Sequence, residues 1–153
     1  MSSYYFDTSA LVKLYIFETG SRWIKHIFDT YDDEIALVLI GVTEAAAALA
    51  RRTRIGELPP KQQHFLYTRL LEDSQRRFNL LAIDDALAYL AAELTQRHPL
   101  RGYDAVHLAS ALELNQQLIT FGLEPLTFLS ADASLCAAAV AEGLAADNPN
   151  DHP

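Results

Sequence analysis

Apolar positions along this chain follow two rhythms. Short continuous runs occur in SSYYFD (2–7), IALVLI (35–40), LLAI (80–83) and LTFLS (126–130). Runs of that length and continuity suit strands covered on both faces. Between them the apolar residues recur at helical spacing. TSALVKLYIFE (8–18) predicts a helix broken at Gly20, and SRWIKHIFDTY (21–31) a second. In the second, Trp23, Ile24, Ile27 and Phe28 mark a core-facing stripe. Alanine-rich VTEAAAALARRTR (42–54) favours a third helix, ended at Gly56. Pro59 and Pro60 suit the first turn of a fourth, continued by KQQHFLYTRLLEDSQRRF (61–78). Asp84 is placed to cap DALAYLAAELTQRH (85–98), which Pro99 closes. Gly102 opens YDAVHLASALELNQQ (103–117), and ADASLCAAAVAEGL (131–144) follows the last clear strand.

This alternation predicts an α/β fold, a parallel sheet with right-handed crossovers. The 153 residues suit one domain, read here as 1–146. The remaining DNPNDHP (147–153) is polar and is expected to fray, and AADNPNDHP is a poor fifth strand. Composition narrows the setting. No apolar run reaches the roughly 20 residues of a membrane span, and the N-terminus lacks a secretory pattern. The single cysteine, Cys136, excludes an internal disulfide and reads as a packing residue, which fits a reducing cytoplasm. A formal charge of −8 argues against a purely electrostatic nucleic-acid or membrane binder. Bound cations or local basic clusters can reverse that field. Arg51, Arg52 and Arg54 form one such cluster and Arg76 with Arg77 another, each a candidate for phosphate or simply a solvated helix face.

The candidate chemistry lies in four acids near predicted helix starts: Asp7, Glu44, Asp104 and Asp132. A parallel sheet gathers such positions at the C-terminal ends of its strands, where ligands bind. Each acid also has an ordinary reading. Asp7 and Asp132 can be N-caps, and Glu44 a surface residue favoured by the helix dipole. Asp84 has the same strand-then-helix setting and warns against counting every such aspartate. Asp104 is harder to dismiss. Its helical neighbours His107, Leu108, Ala111 and Leu112 give a mainly apolar stripe, and a buried carboxylate needs a cation, a donor or a raised pKa. His107 itself reads as a hydrogen-bonded packing residue.

Together the four acids repel. Two negative charges about 4 Å apart repel by roughly 4 kcal/mol at an effective dielectric near 20. Mg²⁺ or Mn²⁺ relieves that conflict, since hard cations prefer carboxylate oxygen. No Cys or His grouping has zinc spacing. A carboxylate-held metal can activate water and stabilise the oxygens of a phosphodiester. Ser9 and Ser130 then orient acids or water, for no nucleophile elbow, Walker A or dinucleotide-binding glycine pattern is present. A haloacid-dehalogenase-type phosphatase needs a second aspartate where Ser9 stands, and a receiver domain needs adjacent acids and a late lysine that are missing. A binding module without catalysis is the non-enzyme alternative.

The segments YYFDTSALVKLY, VTEAAAALARR, RGYDAVHLASALE and FLSADASLCAAAVAEGL resemble the PIN-domain ribonucleases, and among them the VapC-like toxins of toxin–antitoxin pairs. The pairing of D-A-x-H-L-A with a later S-A-D is the specific part. The resemblance implies a three-layer fold with strand order 3-2-1-4-5 and a quartet Asp7, Glu44, Asp104 and Asp132. Mg²⁺ contact is implied chiefly through Asp7 and Asp104, with Ser9 and Ser130 supporting the acids. It implies cleavage of single-stranded or loop RNA, homodimers, and silencing by an antitoxin through which any DNA contact is indirect. Trp23, Ile27, Phe65, Leu66 and Leu70 are the side chains available for dimerisation, with the monomer core as their alternative.

Overall fold

The computed structural model describes residues 2–31 and 34–153; Asp32 and Asp33, read from sequence as part of an acidic turn, lie outside them. Five parallel strands form one sheet: β1 (Tyr4–Phe6), β2 (Ile35–Val38), β3 (Phe78–Leu81), β4 (Thr127–Leu129) and β5 (Ala145–Asp147). Their order is β3-β2-β1-β4-β5, as the resemblance implied. The chain first winds from β1 outward to β3, then returns to β4. The reversal between β1 and β4 is the switch point where a crevice opens beyond the strand ends.

The strands' two-residue period feeds two cores. Tyr5, Ala36, Val38 and Phe128 face one side, under α5 (Asp85–Arg97), α6 (Gly102–Thr120) and α7 (Ala133–Ala141). Phe6, Ile35, Leu37 and Leu129 face the other, under α1 (Thr8–Val12), α2 (Ser21–Thr30), α3 (Ile40–Arg54) and α4 (Pro60–Arg76). Both faces are covered, which explains why the strands read as unbroken apolar runs rather than alternating ones.

The structure corrects four expectations. The first helix ends at Val12, and Lys13–Thr19 form turns and irregular backbone instead. Their polar groups gain other partners: Lys13 Nζ donates to Glu18 Oε1 (3.0 Å) and the Thr19 carbonyl (2.7 Å), and Tyr15 donates to Asp73 (2.8 Å). Strand β3 begins two residues earlier than LLAI, because Phe78 pairs with Ile35 and packs on Phe28. Helix α3 begins at Ile40, so Glu44 lies in its second turn rather than its first. The C-terminal residues are docked rather than frayed. Strand β5 pairs with β4, a 3-10 turn covers Pro149–Asp151, and His152 stacks on Trp23 at 3.9 Å. Gly20 makes this docking possible. Its φ is +84°, and a Cβ there would meet the Pro149 carbonyl oxygen at 2.4 Å. Of the five apolar residues considered for dimerisation, Ile27 and Leu70 are buried in the monomer, Trp23 and Leu66 are half-buried, and Phe65 is exposed.

Candidate active site

Asp7 ends β1 in extended conformation and turns the chain into α1. Its carboxylate is 5 % exposed and fully engaged. Oδ1 accepts from the Ser9 hydroxyl (2.6 Å) and the Ala10 N–H (2.9 Å), while Oδ2 accepts from the Ser130 hydroxyl (2.6 Å). The same hydroxyls accept in turn: the Ala131 N–H donates to Ser9 (2.8 Å) and the Asp132 N–H to Ser130 (3.0 Å). The two serines therefore tie the β1–α1 joint to the β4–α7 joint through Asp7. Asp132 caps α7, accepting from the Ser134 and Leu135 N–H groups through Oδ1.

Glu44 reaches the same crevice from α3. Thr8 donates to its Oε1 (2.8 Å), and His107 Nε2 stands 2.7 Å from the same oxygen. A carboxylate only accepts, so Nε2 carries the proton in that contact. His107 is buried on α6, and its Nδ1 lies 2.9 Å from the Tyr5 hydroxyl, which accepts from the Val38 N–H. Gly41 leaves room for this ring; a Cβ there would sit 3.4 Å from His107 Cε1. Asp104, in the first turn of α6, is partly exposed. Among the described residues its one close cation is Arg101, at 3.4 Å and 87 % exposed, a weak solvated pair.

All four acids line one cavity of about 340 Å³, together with Thr8, Ser9, Arg101 and His107. Sequence reading missed a fifth acid on its wall, Glu18. Buried Lys13 (3.0 Å) and Arg52 (3.3 Å) neutralise it, which sets it apart from the quartet. It lies in the stretch expected to be helical, so nothing in the apolar pattern pointed it inward.

Burial raises the Asp7 pKa above the ordinary aspartate value; the charge of His107 and the hydrogen bonds from Ser130, Ser9 and the Ala10 N–H only partly offset it. At Glu44 burial also acts upward, but the His107 hydrogen bond and charge and the Thr8 hydroxyl outweigh it, so its pKa is lowered. Metal-free, the pocket thus disfavours charge at its deepest acid. Its donors are hard oxygens, a set that fits Mg²⁺ or Mn²⁺. Among the described residues, no three His, Cys, Asp or Glu side chains converge tightly enough to cage one ion. The acids ring a shared space, the arrangement that suits an ion bound by one or two carboxylates and several waters. Cys136 offers nothing to such an ion. Its thiol donates to the Ser130 carbonyl (3.2 Å), and burial, followed by the charge of Asp7, pushes its pKa up to about 11.

Comparison with known proteins bears on the family and the fold. Residues 4–128 match the family model described as PIN domain. Ribonuclease VapC45 of Mycobacterium tuberculosis is 37% identical over 108 residues, covering 71% of this chain and 74% of that protein. Among solved structures, Mycobacterium tuberculosis VapC20, described as a sarcin-ricin loop cleaving toxin, superimposes with a TM-score of 0.65 at 16% identity, covering 89% of this chain and 95% of the other. FitAcB from Neisseria gonorrhoeae gives 0.63 at 18% identity, covering 95% and 97%. At such identities the two structures speak for the fold, and the sequence matches for descent. The chain belongs to the PIN-domain family and, within it, to the VapC-like proteins.

Proposed function

We propose that this protein is a metal-dependent endoribonuclease, the toxin of a toxin–antitoxin pair, and that Asp7, Glu44, Asp104 and Asp132 are its catalytic acids. The observation that carries the reading is the meeting of four carboxylates from separate elements in one cavity at the switch point of the sheet. Similarity to a ribonuclease gives the substrate as RNA. Asp7 and Asp104 would hold Mg²⁺, or Mn²⁺, with Glu44 and Asp132 completing the site directly or through water. When bound, the ion supplies water activation and charge stabilisation at a phosphodiester.

The chain's own residues do the rest. Ser9 and Ser130 fix both oxygens of Asp7, so the carboxylate does not rotate as charge approaches. His107 and Thr8 hold Oε1 of Glu44 and keep it ionised, leaving Oε2 to face the cavity or a water. Arg101 at the rim is free to exchange its weak contact with Asp104 for a phosphate oxygen. An antitoxin partner and a homodimer accompany this role, and contact with DNA would run through the antitoxin. An RNA substrate sets the activity in the cytoplasm; among the described residues no helix is long and apolar enough to cross a membrane.

The test is cleavage of single-stranded RNA by purified protein with and without Mg²⁺, alongside metal titration of the melting temperature. Ion at about 100 times its Kd should add about 2.7 kcal/mol to wild-type stability and little to Asp104→Asn. Full cleavage in excess chelator would reject the metal mechanism. A folded, metal-bound wild type inert toward RNA in which the cation still raises the melting temperature would favour a binding module instead.

A further inference from the structure

The acidic pocket does not end at the quartet. A second cavity, lined by Val12, Ala48, Arg51, Arg52, Ile55 and Glu57, shares Val12 and Ala48 with it. Along α3 and its C-cap, Glu44, Ala48, Arg51 and Ile55 are spaced by four, three and four residues, so they form a single stripe. The stripe runs from the acids toward the C-terminal end of the helix. From Glu44 to Arg51 it climbs about 10 Å along the axis, a short stretch of nucleic-acid backbone. Ala48 leaves the floor of this passage low.

The arginines at the far end differ in what they can do. Arg52 is committed: Nη1 pairs with Glu57 (3.0 Å) and Nη2 with Glu18 (3.3 Å). Arg51 is exposed, lines the cavity, and forms no ion pair with a described acid. Arg54 is exposed and does not line the cavity. In a chain of net charge −8, an uncommitted guanidinium beside an acidic pocket is a local reversal of sign. Guanidinium suits phosphate through paired N–H donors.

We infer that this cavity is the subsite for single-stranded RNA extending from the acidic pocket, with Arg51 binding a backbone phosphate next to the cleaved one. Arg52 is a positioning residue: by holding Glu18 and Glu57 it keeps two acids off the phosphate path. The assignment rests on the nuclease reading and adds to it the direction in which the strand lies and the residue that grips it.

The experiment measures binding of a single-stranded RNA oligonucleotide by fluorescence anisotropy across a salt series, in an Asp7→Asn background that prevents cleavage. Arg51→Ala should weaken binding about fivefold to tenfold and flatten the log K against log salt slope by about 0.7, the share of one phosphate contact on a single strand. Arg51→Lys should retain most of the slope, and Lys61→Ala, which removes an equal charge on the exposed start of α4, should leave both unchanged. In otherwise wild-type protein, Arg51→Ala should raise KM and leave kcat in place. Unchanged affinity and slope in Arg51→Ala, or an equal loss in Lys61→Ala, would overturn the subsite. RNA cleavage by the wild type together with indifference to Arg51 rejects this inference alone; wild-type protein that neither binds nor cuts RNA rejects the nuclease reading beneath it.

Discussion

Asp7 and Asp84 occupy the same local setting and meet different fates. Each follows a strand in extended conformation and caps a helix, Asp7 through the Ala10 N–H at 2.9 Å and Asp84 through the Leu87 N–H at 2.8 Å. Asp7 leaves the central strand β1, beside β4, and is buried among the hydroxyls of Ser9 and Ser130. Asp84 follows the edge strand β3 and is exposed. Capping chemistry alone therefore says little about function. What separates the two is the neighbouring strand: beside β1 lies β4, whose exit brings the Ser130 hydroxyl onto Asp7 and sets Asp132 at the next helix start.

The largest test of this contrast is on cleavage. Asp7→Asn should lower RNA cleavage by about a hundredfold or more, the scale of losing several kcal/mol of metal-supplied stabilisation, while circular dichroism stays native. Comparable cleavage by Asp7→Asn and wild type would erase the distinction between the two joints. A smaller effect is expected one layer out. His107→Asn should reduce cleavage about 10- to 100-fold, the usual cost of removing an outer partner of a ligand, because Glu44 loses its orienting contact. An undiminished rate in a folded variant would reduce His107 to packing.

At the other joint the effect should be structural only. Asp84→Ala should cost about 1 kcal/mol in urea denaturation, the typical worth of a cap, with cleavage per folded molecule unchanged. A loss of cleavage there would mean that edge-strand acids belong to the site.

The smallest effect concerns pH in the absence of metal. Asp7 holds its proton more tightly folded than unfolded, since its folded pKa is raised. Its contribution is therefore complete below the ordinary aspartate value and is lost as pH rises through the raised one. Glu44 has the opposite sign: its contribution is present above the ordinary glutamate value and is lost as pH falls through the lowered one. In chelator, Asp7→Asn should thus melt above wild type at neutral pH, with the gap closing as pH falls toward about 4. A gap that widens on acidification contradicts burial as the dominant influence on Asp7.

The inner strands β1, β2 and β4 were readable because they are buried on both faces, as the edge strands β3 and β5 are not, and so stand out as apolar runs. Asp84 was separable from the quartet once resemblance supplied the strand order, since periodicity does not say which strands are neighbours. Three features escaped for physical reasons. Phe78 belongs to β3 through tertiary pairing with Ile35, although the local pattern continues the helix before it. Glu18 reaches the pocket because Lys13 and Arg52 neutralise it, a long-range arrangement that leaves no periodic mark. The last residues carry the composition of a loose end, yet Gly20 opens a seat for Pro149 that no hydropathy pattern encodes. His107 was legible as a packing residue; its hold on Glu44 depends on side chains of α3 and α6, from opposite faces of the sheet, meeting at the strand ends.

The stacking of Trp23 on His152 has a practical side. Trp23 is the chain's single tryptophan, so its near-ultraviolet emission comes from one place, the seam between the second helix and the final residues. A ring stacked face to face on indole gives it surroundings that water does not, so detachment of that seam would register as a change in brightness without any dye. The molecule thus carries a native optical gauge of whether its closing segment is seated, readable during titration with RNA, cation or a binding protein.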